Sequence, residues 1–230
     1  MPEPQRRRHE VLTWSWNLDG DHEAAAAAAT VLSPEEQARG DSYRAALHRQ
    51  RFAAGRARLR MILGAQLGRD PGPLAFAENA FGKPGLVDAP DLRFSLSHCQ
   101  DQAFLAVSDG LEIGADLEHV RPIEHLDLAR RYFHASEVAA IEAFARLDDQ
   151  RLAFFQTWTL KEAVVKALGT GLSTALDGFA ISIAASAPEM VIAPADEPAG
   201  WWLHLATADG YCRALAAPAG VQVALIQRVF

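Results

Sequence analysis

Helical and strand-like hydrophobic patterns occupy separate blocks of this chain, and that order limits the fold more than any other feature of it. A helix start is marked at Ser33-Pro34-Glu35-Glu36. There Ser33 can act as cap, Pro34 takes the first helical position and Glu36 closes a capping box. After a break at Gly40-Asp41, helical spacing runs through Tyr43, Leu47, Phe52, Leu59, Ile62 and Leu63. It stops near Gly68, ahead of Pro71 and Pro73. Alternating segments follow at 93–98, at 103–107 and, past the turn Ser108-Asp109-Gly110, at 111–118. Beyond Pro122, helical patterns cover 126–133, 137–144 with Ser136 as cap, and a strongly apolar 151–168 that ends at Gly169. Strand-like runs close the chain at 179–183, 201–205, 211–215 and 221–229. Blocks of this kind predict an α+β fold with antiparallel sheets, not a doubly wound parallel sheet.

Half of the 230 residues are hydrophobic, enough for a sizeable core. Cys99 and Cys212 show no metal-ligand spacing, so reduced thiols of a cytoplasmic protein are expected ahead of a disulfide. Arg6, Arg7 and Arg8 precede no unbroken apolar run, and the alanines at 24–29 are too few to span a bilayer. The expectation is a soluble protein with no membrane partner. A net charge of −7 argues against a nucleic-acid binder. The charge is uneven, however. Residues 1–69 hold eleven arginines, no lysine and eight acids, whereas the remainder holds eleven basic and 21 acidic side chains. An arginine-rich first third suits bidentate contact with phosphate or carboxylate. A solvated helix face is the commoner explanation for any single one of these arginines.

Asp116 and Glu118 stand two apart on a strand, so their carboxylates share a face while Ala115 and Leu117 point into a core. Gly114 lies on the acidic face and is expected to leave room there for a ligand. Same-face carboxylates repel unless a cation or proton lies between them, and hard oxygen donors suit Mg²⁺. A solvent-facing acidic edge is the plainer alternative. Glu162 and Lys166 are four apart on the apolar helix, with Trp158 one turn earlier. An exposed pair of this kind is worth only roughly 0.2–0.5 kcal/mol. On a helix apolar almost all round, charges need partners or a metal, so a functional role is expected for the pair and Lys161 is left open. Ser97-His98 suggests a hydrolase, but neighbours on a strand face opposite ways and no G-x-S-x-G elbow is present. A hydroxyl, an imidazole and the turn-borne Lys83 can instead bind phosphate oxygens.

The segments F-G-K-P (81–84), F-S-L-S-H (94–98), G-A-D-L-E (114–118) and W-T-L-K-E-A-V-V-K-A-L-G (158–169) stand in this order and spacing. Together the chain from about Ser33 to about Leu176 resembles the 4′-phosphopantetheinyl transferases of the surfactin-synthetase-activating type. The resemblance implies two similar α+β halves about a pseudo-twofold axis, here 1–112 and 113–230, with coenzyme A in the cleft between them. It implies Asp116, Glu118 and Glu162 as Mg²⁺ ligands. Lys83, Ser97 and His98 are then contacts to the phosphates of coenzyme A, with Asp116 beside them through the metal. Arg51 reaches the 3′-phosphate and Lys166 the pyrophosphate. The implied reaction places phosphopantetheine on a serine of an acyl, peptidyl or aryl carrier protein, with Glu162 a candidate base. First-helix positions that are basic in such proteins hold Glu36 and Arg39 here, and Ala115 replaces a larger apolar residue. A strip at 167–176 offers either a carrier-docking surface or core packing. A monomer is expected, since two halves already form the cleft. The rival functions are an Mg²⁺-dependent hydrolase of coenzyme A or another nucleotide pyrophosphate, and a non-catalytic coenzyme A- or carrier-binding module.

Overall fold

The computed structural model describes residues 8–195, 200–218 and 222–228, which leaves Arg6 and Arg7 outside the described residues. The first half runs β1 (Arg8–Asn17), α1 (His22–Val31), α2 (Pro34–Asp41), α3 (Ala46–Leu67), β2 (Phe76–Glu78), β3 (Pro84–Leu86), β4 (Leu92–Cys99) and β5 (Gln102–Asp109). The second runs β6 (Gly114–His119), α4 (His125–Tyr132), α5 (Ala135–Glu142), α6 (Leu147–Leu168), β7 (Ala180–Ser182), β8 (Glu189–Ile192), β9 (Trp201–Ala208), β10 (Tyr211–Pro218) and β11 (Gln222–Arg228). The fold is α+β, and the two 22-residue helices, α3 and α6, each lie on a sheet whose strands are antiparallel apart from one parallel pair in the first. Both long helices end on a left-handed glycine, Gly68 (φ 62°) and Gly169 (φ 68°), because a Cβ is disfavoured in that conformation.

The first sheet has the order β11-β1-β5-β4 and the second β6-β10-β9. Trp14, Trp16, Leu59, Leu63, Phe94 and Leu105 fill the space between α3 and the first sheet. Leu160, Ala163, Val164, Leu203, Ala214 and Ala216 do the same beneath α6. Val11, Phe104, Ala106, Ile113, Ala115, Leu117 and Leu215 form a third core between the sheets, which fixes the inward side of β6 as expected. Between β4 and β6 the join is made by side chains. The Ala115 N–H donates to Ser95 Oγ at 2.9 Å.

Several elements differ from the pattern-based expectation. The last strand, β11, leaves the second half and pairs in parallel with β1. Its alternation shows a strand but cannot show a partner. β1 is interrupted by polar residues and α1 is an alanine run with little amphipathic contrast, so neither carries a clear period. The α2 start matches: Ser33 caps, Pro34 is at the first turn, and Glu36 completes the box. For α5 the cap is His134 instead of Ser136, because Glu137 reaches back to the His134 N–H at 3.0 Å. Both cysteines are free. Among the described residues, no helix is long and apolar enough to cross a membrane.

Candidate active site

Asp116 is the centre of the acidic face and is only 4 % exposed. Its Oδ1 accepts from Ser97 Oγ at 2.8 Å and from Lys166 Nζ at 2.6 Å, and Lys166 Nζ also donates to Ser97 Oγ at 3.0 Å. Three elements thus meet at one oxygen: β4 through Ser97, β6 through Asp116 and α6 through Lys166. The second oxygen, Oδ2, is buried and has no hydrogen-bond partner among the described residues.

Glu118 and Glu162 flank this carboxylate. Burial raises the pKa of each above the ordinary carboxylate value, and the Asp116 charge raises it further. The charge of Glu118 adds to that of Asp116 at Glu162, while Lys166 acts in the opposite direction. Arg121 reaches Glu118 Oε2 at 3.4 Å and relieves it in part. The acidic face predicted from D-x-E is therefore real and is joined by the helix carboxylate. No group of three His, Cys, Asp or Glu side chains among the described residues converges as an ion cage. One oxygen of Asp116 is held instead by the Lys166 ammonium.

Gly114 does not leave room for a ligand. A Cβ there would meet Ala163 O at 1.9 Å and Ala167 N at 2.4 Å, so the missing side chain admits the α6 backbone. The close approach is what brings Glu162 and Lys166 to β6. Lys161, left open by its sequence, is wholly buried in an ion pair with Glu137 at 2.7 Å and donates to Phe179 O at 2.7 Å. It holds α5 to α6 and does not reach the acidic face. At 167–176, Ala167 is buried and Leu168 and Leu176 pack against the α6 core, which favours core packing for those residues.

Beside the acidic cluster opens a cavity of about 1220 Å³, lined from Leu18 to Ala103 and so by the first half. Arg39, His48, Arg51, Arg56, Arg60 and His98 give it a basic wall, and Tyr43, Phe52, Phe76 and Phe94 an aromatic one. His98 reaches solvent at its rim. Burial against the cleft wall, with the neighbouring Lys166 ammonium, lowers its pKa. Arg39 lies over the Phe52 ring at 5.6 Å. Glu36 is consumed by Arg56 and by Arg60 at 2.7 Å, so this acid neutralises part of that wall.

Two predicted phosphate contacts are occupied elsewhere. Lys83 Nζ donates to Glu112 at 2.7 Å and to Ala167 O at 3.0 Å, at the C-terminal turn of α6. Arg51 clamps Asp19 with two 2.7 Å bonds and donates to Gln100 O at 2.9 Å. Asp19 carried no signal in the sequence. Nor did the Tyr211 hydroxyl, which donates to Asp101 Oδ1 at 2.9 Å and ties β10 to the β4–β5 turn. Burial and the Asp101 carboxylate push that phenol up to about 12.

Residues 112–216 match the family described as the 4′-phosphopantetheinyl transferase superfamily. The chain is 38 % identical over 216 residues to the 4′-phosphopantetheinyl transferase HetI of Nostoc sp. (strain PCC 7120), covering 92 % of this chain and 88 % of that protein. The chain belongs to the 4′-phosphopantetheinyl transferase superfamily. The 4′-phosphopantetheinyl transferase Sfp of Bacillus subtilis is 30 % identical over 154 residues, 67 % of each chain. A putative 4′-phosphopantetheinyl transferase of Synechocystis sp. is 39 % identical over 150 residues, 64 % of this chain and 61 % of that one. In this phosphopantetheinyl transferase, Asp116, Glu118, Glu162 and Lys166 all fall within the span matched by the family.

Proposed function

We propose that this transferase moves 4′-phosphopantetheine from coenzyme A to a serine hydroxyl of an apo acyl, peptidyl or aryl carrier protein, releasing 3′,5′-adenosine bisphosphate. A magnesium ion would be held by Asp116, Glu118 and Glu162. The observation that carries this reading is the buried Asp116 Oδ2, without a hydrogen-bond partner among the described residues, on a carboxylate whose charge disfavours the negative forms of Glu118 and Glu162. An orphan buried oxygen is costly unless something fills its lone pairs, and an all-oxygen donor set suits Mg²⁺. Such an ion would neutralise charge on the pyrophosphate as the phosphorus–oxygen bond breaks.

The chain's own groups supply the rest. The basic and aromatic walls of the cavity suit the nucleotide portion of coenzyme A, with Arg39 a cation and His98 a ring hydrogen-bonding group for its anionic oxygens. The Lys166 side chain is 31 % exposed, so it can release Asp116 and turn to a phosphate oxygen. Glu162 is the candidate to accept the proton of the attacking serine, directly or through water. Positioning and charge neutralisation account for most of the catalysis such a transfer needs. The reading is of a monomer acting in the cytoplasm.

The test is intact-protein mass spectrometry of several apo carriers incubated with enzyme, Mg²⁺ and coenzyme A. A gain of one phosphopantetheine, lost with EDTA and in Asp116→Ala, is the expected result. Cleavage of coenzyme A with every carrier unmodified would replace the transferase by a hydrolase.

A further inference from the structure

We propose that Asp19 is a positioning residue for the nucleotide end of the substrate: its carboxylate holds the Arg51 guanidinium at the cavity wall, where the remaining N–H bonds of that group meet the 3′-phosphate of coenzyme A. This rests on the coenzyme A reading above. In that reading the pyrophosphate lies at the acidic cluster, so the phosphate left for the basic wall of the first half is the 3′-phosphate. Arg51 lines that cavity. Its guanidinium is engaged but not exhausted. Nε and Nη2 donate to the two oxygens of Asp19, each at 2.7 Å, and Nη1 donates to Gln100 O at 2.9 Å. A guanidinium carries five N–H bonds, so one is left over on each terminal nitrogen.

The two groups that grip Arg51 are themselves tied together. Asn17, the last residue of β1, accepts the Asp19 and Gly20 N–H groups on its Oδ1, both at 2.9 Å, which fixes the turn that carries Asp19. Its Nδ2 donates to Asp101, the residue after Gln100 in the β4–β5 turn, and the Leu18 N–H donates to Asp101 O at 2.6 Å. Gln100 has a left-handed backbone, φ 58°, which residues with a side chain seldom adopt. Asn17, Leu18 and, from β10, Tyr211 hold the turn in that shape. The carboxylate and the carbonyl that fix Arg51 thus form one braced cradle.

Such a cradle favours binding by ordering the cation before the ligand arrives. Immobilising one long, rotamer-rich side chain on binding lowers affinity by about two- to tenfold, a loss that a side chain already held does not incur. Asp19 also opposes a phosphate through its own charge, which the Arg51 hydrogen bond preserves by lowering the Asp19 pKa. That opposition is weak, because the Asp19 side chain is 42 % exposed and water screens it. The positioning effect is therefore the larger of the two.

The experiment measures binding of coenzyme A and of 3′-dephospho-coenzyme A by calorimetry at constant Mg²⁺. It uses the full-length chain as wild type, Asp19→Ala, Asp19→Asn, Arg51→Ala and the Asp19→Ala/Arg51→Ala double variant. Asp19→Ala is expected to weaken coenzyme A about fivefold and the dephospho form less than twofold, with Asp19→Asn, which keeps an acceptor, in between. Arg51→Ala should abolish the preference for the 3′-phosphate, and adding Asp19→Ala to it should weaken coenzyme A no further. Tighter coenzyme A binding by Asp19→Ala would make Asp19 a competitor of the phosphate and overturn the proposal. Equal weakening of both ligands would reduce Asp19 to a structural role and overturn it too, as would no change in either. A wild type that binds both ligands equally would take Arg51 off the phosphate and overturn it. A wild type that binds neither would instead remove the coenzyme A reading itself, and this inference with it. If thermal unfolding shows that Asp19→Ala does not fold, the ratio of the two affinities in Asp19→Asn decides the same question.

Discussion

A Cβ on Gly114 would stand 1.9 Å from the carbonyl oxygen of Ala163. No side-chain rotation relieves that contact, because both partners are backbone. Gly114→Ala must therefore lift α6 from β6, at a cost of more than about 3 kcal/mol. The same displacement separates Glu162 and Lys166 from Asp116, so transferase activity falls with stability. Urea unfolding followed by circular dichroism measures the cost. A stability within about 0.5 kcal/mol of wild type would refute the close approach.

Lys161 and Glu137 form a fully buried pair in which Glu137 Oε1 also accepts from the Ile181 N–H at 2.8 Å. Removing only the lysine strands a carboxylate in the core. Lys161→Met is expected to lose about 3–5 kcal/mol, much of which returns when Glu137→Gln is added. A double-mutant cycle reads the coupling directly. Additive losses would show that the pair is not a unit.

Lys83 behaves in the structure as a bolt between the halves. Its ammonium is on Glu112 and on the last turn of α6, where the helix dipole favours a cation. Because the pair is partly exposed, Lys83→Met is expected to cost only about 1 kcal/mol, with coenzyme A affinity little changed. Calorimetry showing a tenfold loss of coenzyme A affinity at unchanged stability would return Lys83 to the phosphates.

The raised pKa values of Glu118 and Glu162 give a sign for pH dependence. Where a folded carboxyl binds protons more readily than an unfolded one, stability falls as pH rises through that interval. The cation-free enzyme should thus gain stability on mild acidification. Mg²⁺ competes with those protons, so its stabilising effect should grow as pH rises from about 5 to about 8. Thermal unfolding with and without Mg²⁺ across that range checks both halves of the statement. A Mg²⁺ effect independent of pH would mean that neither carboxylate is a ligand.

What was legible and what was not separate along one line. The capping box at Ser33 and Glu36, the alternation that puts Asp116 and Glu118 on one face, and the α6 spacing of Glu162 and Lys166 are all local periodicities. They survive folding because secondary structure preserves them. The roles read for Lys83, Ser97 and Arg51 were set by contacts 29, 19 and 32 residues away, with Glu112, Asp116 and Asp19. A cationic or hydroxyl side chain announces its chemistry in a sequence, but its partner is chosen by packing. The space at Gly114 is the same case in reverse, since an absent side chain can admit a ligand or a helix.

The sequence by itself determined the α+β class, the long helices with their terminal glycines, and the identity of the acidic face. Periodicity and turn chemistry act over a few residues and need no knowledge of the rest of the chain. Only the tertiary structure decided that β11 returns to β1, that Asp116 has one oxygen held and one free, and that the basic cavity lies within the first half. Those outcomes depend on which surfaces exclude water from one another, and that choice is made by the folded chain as a whole.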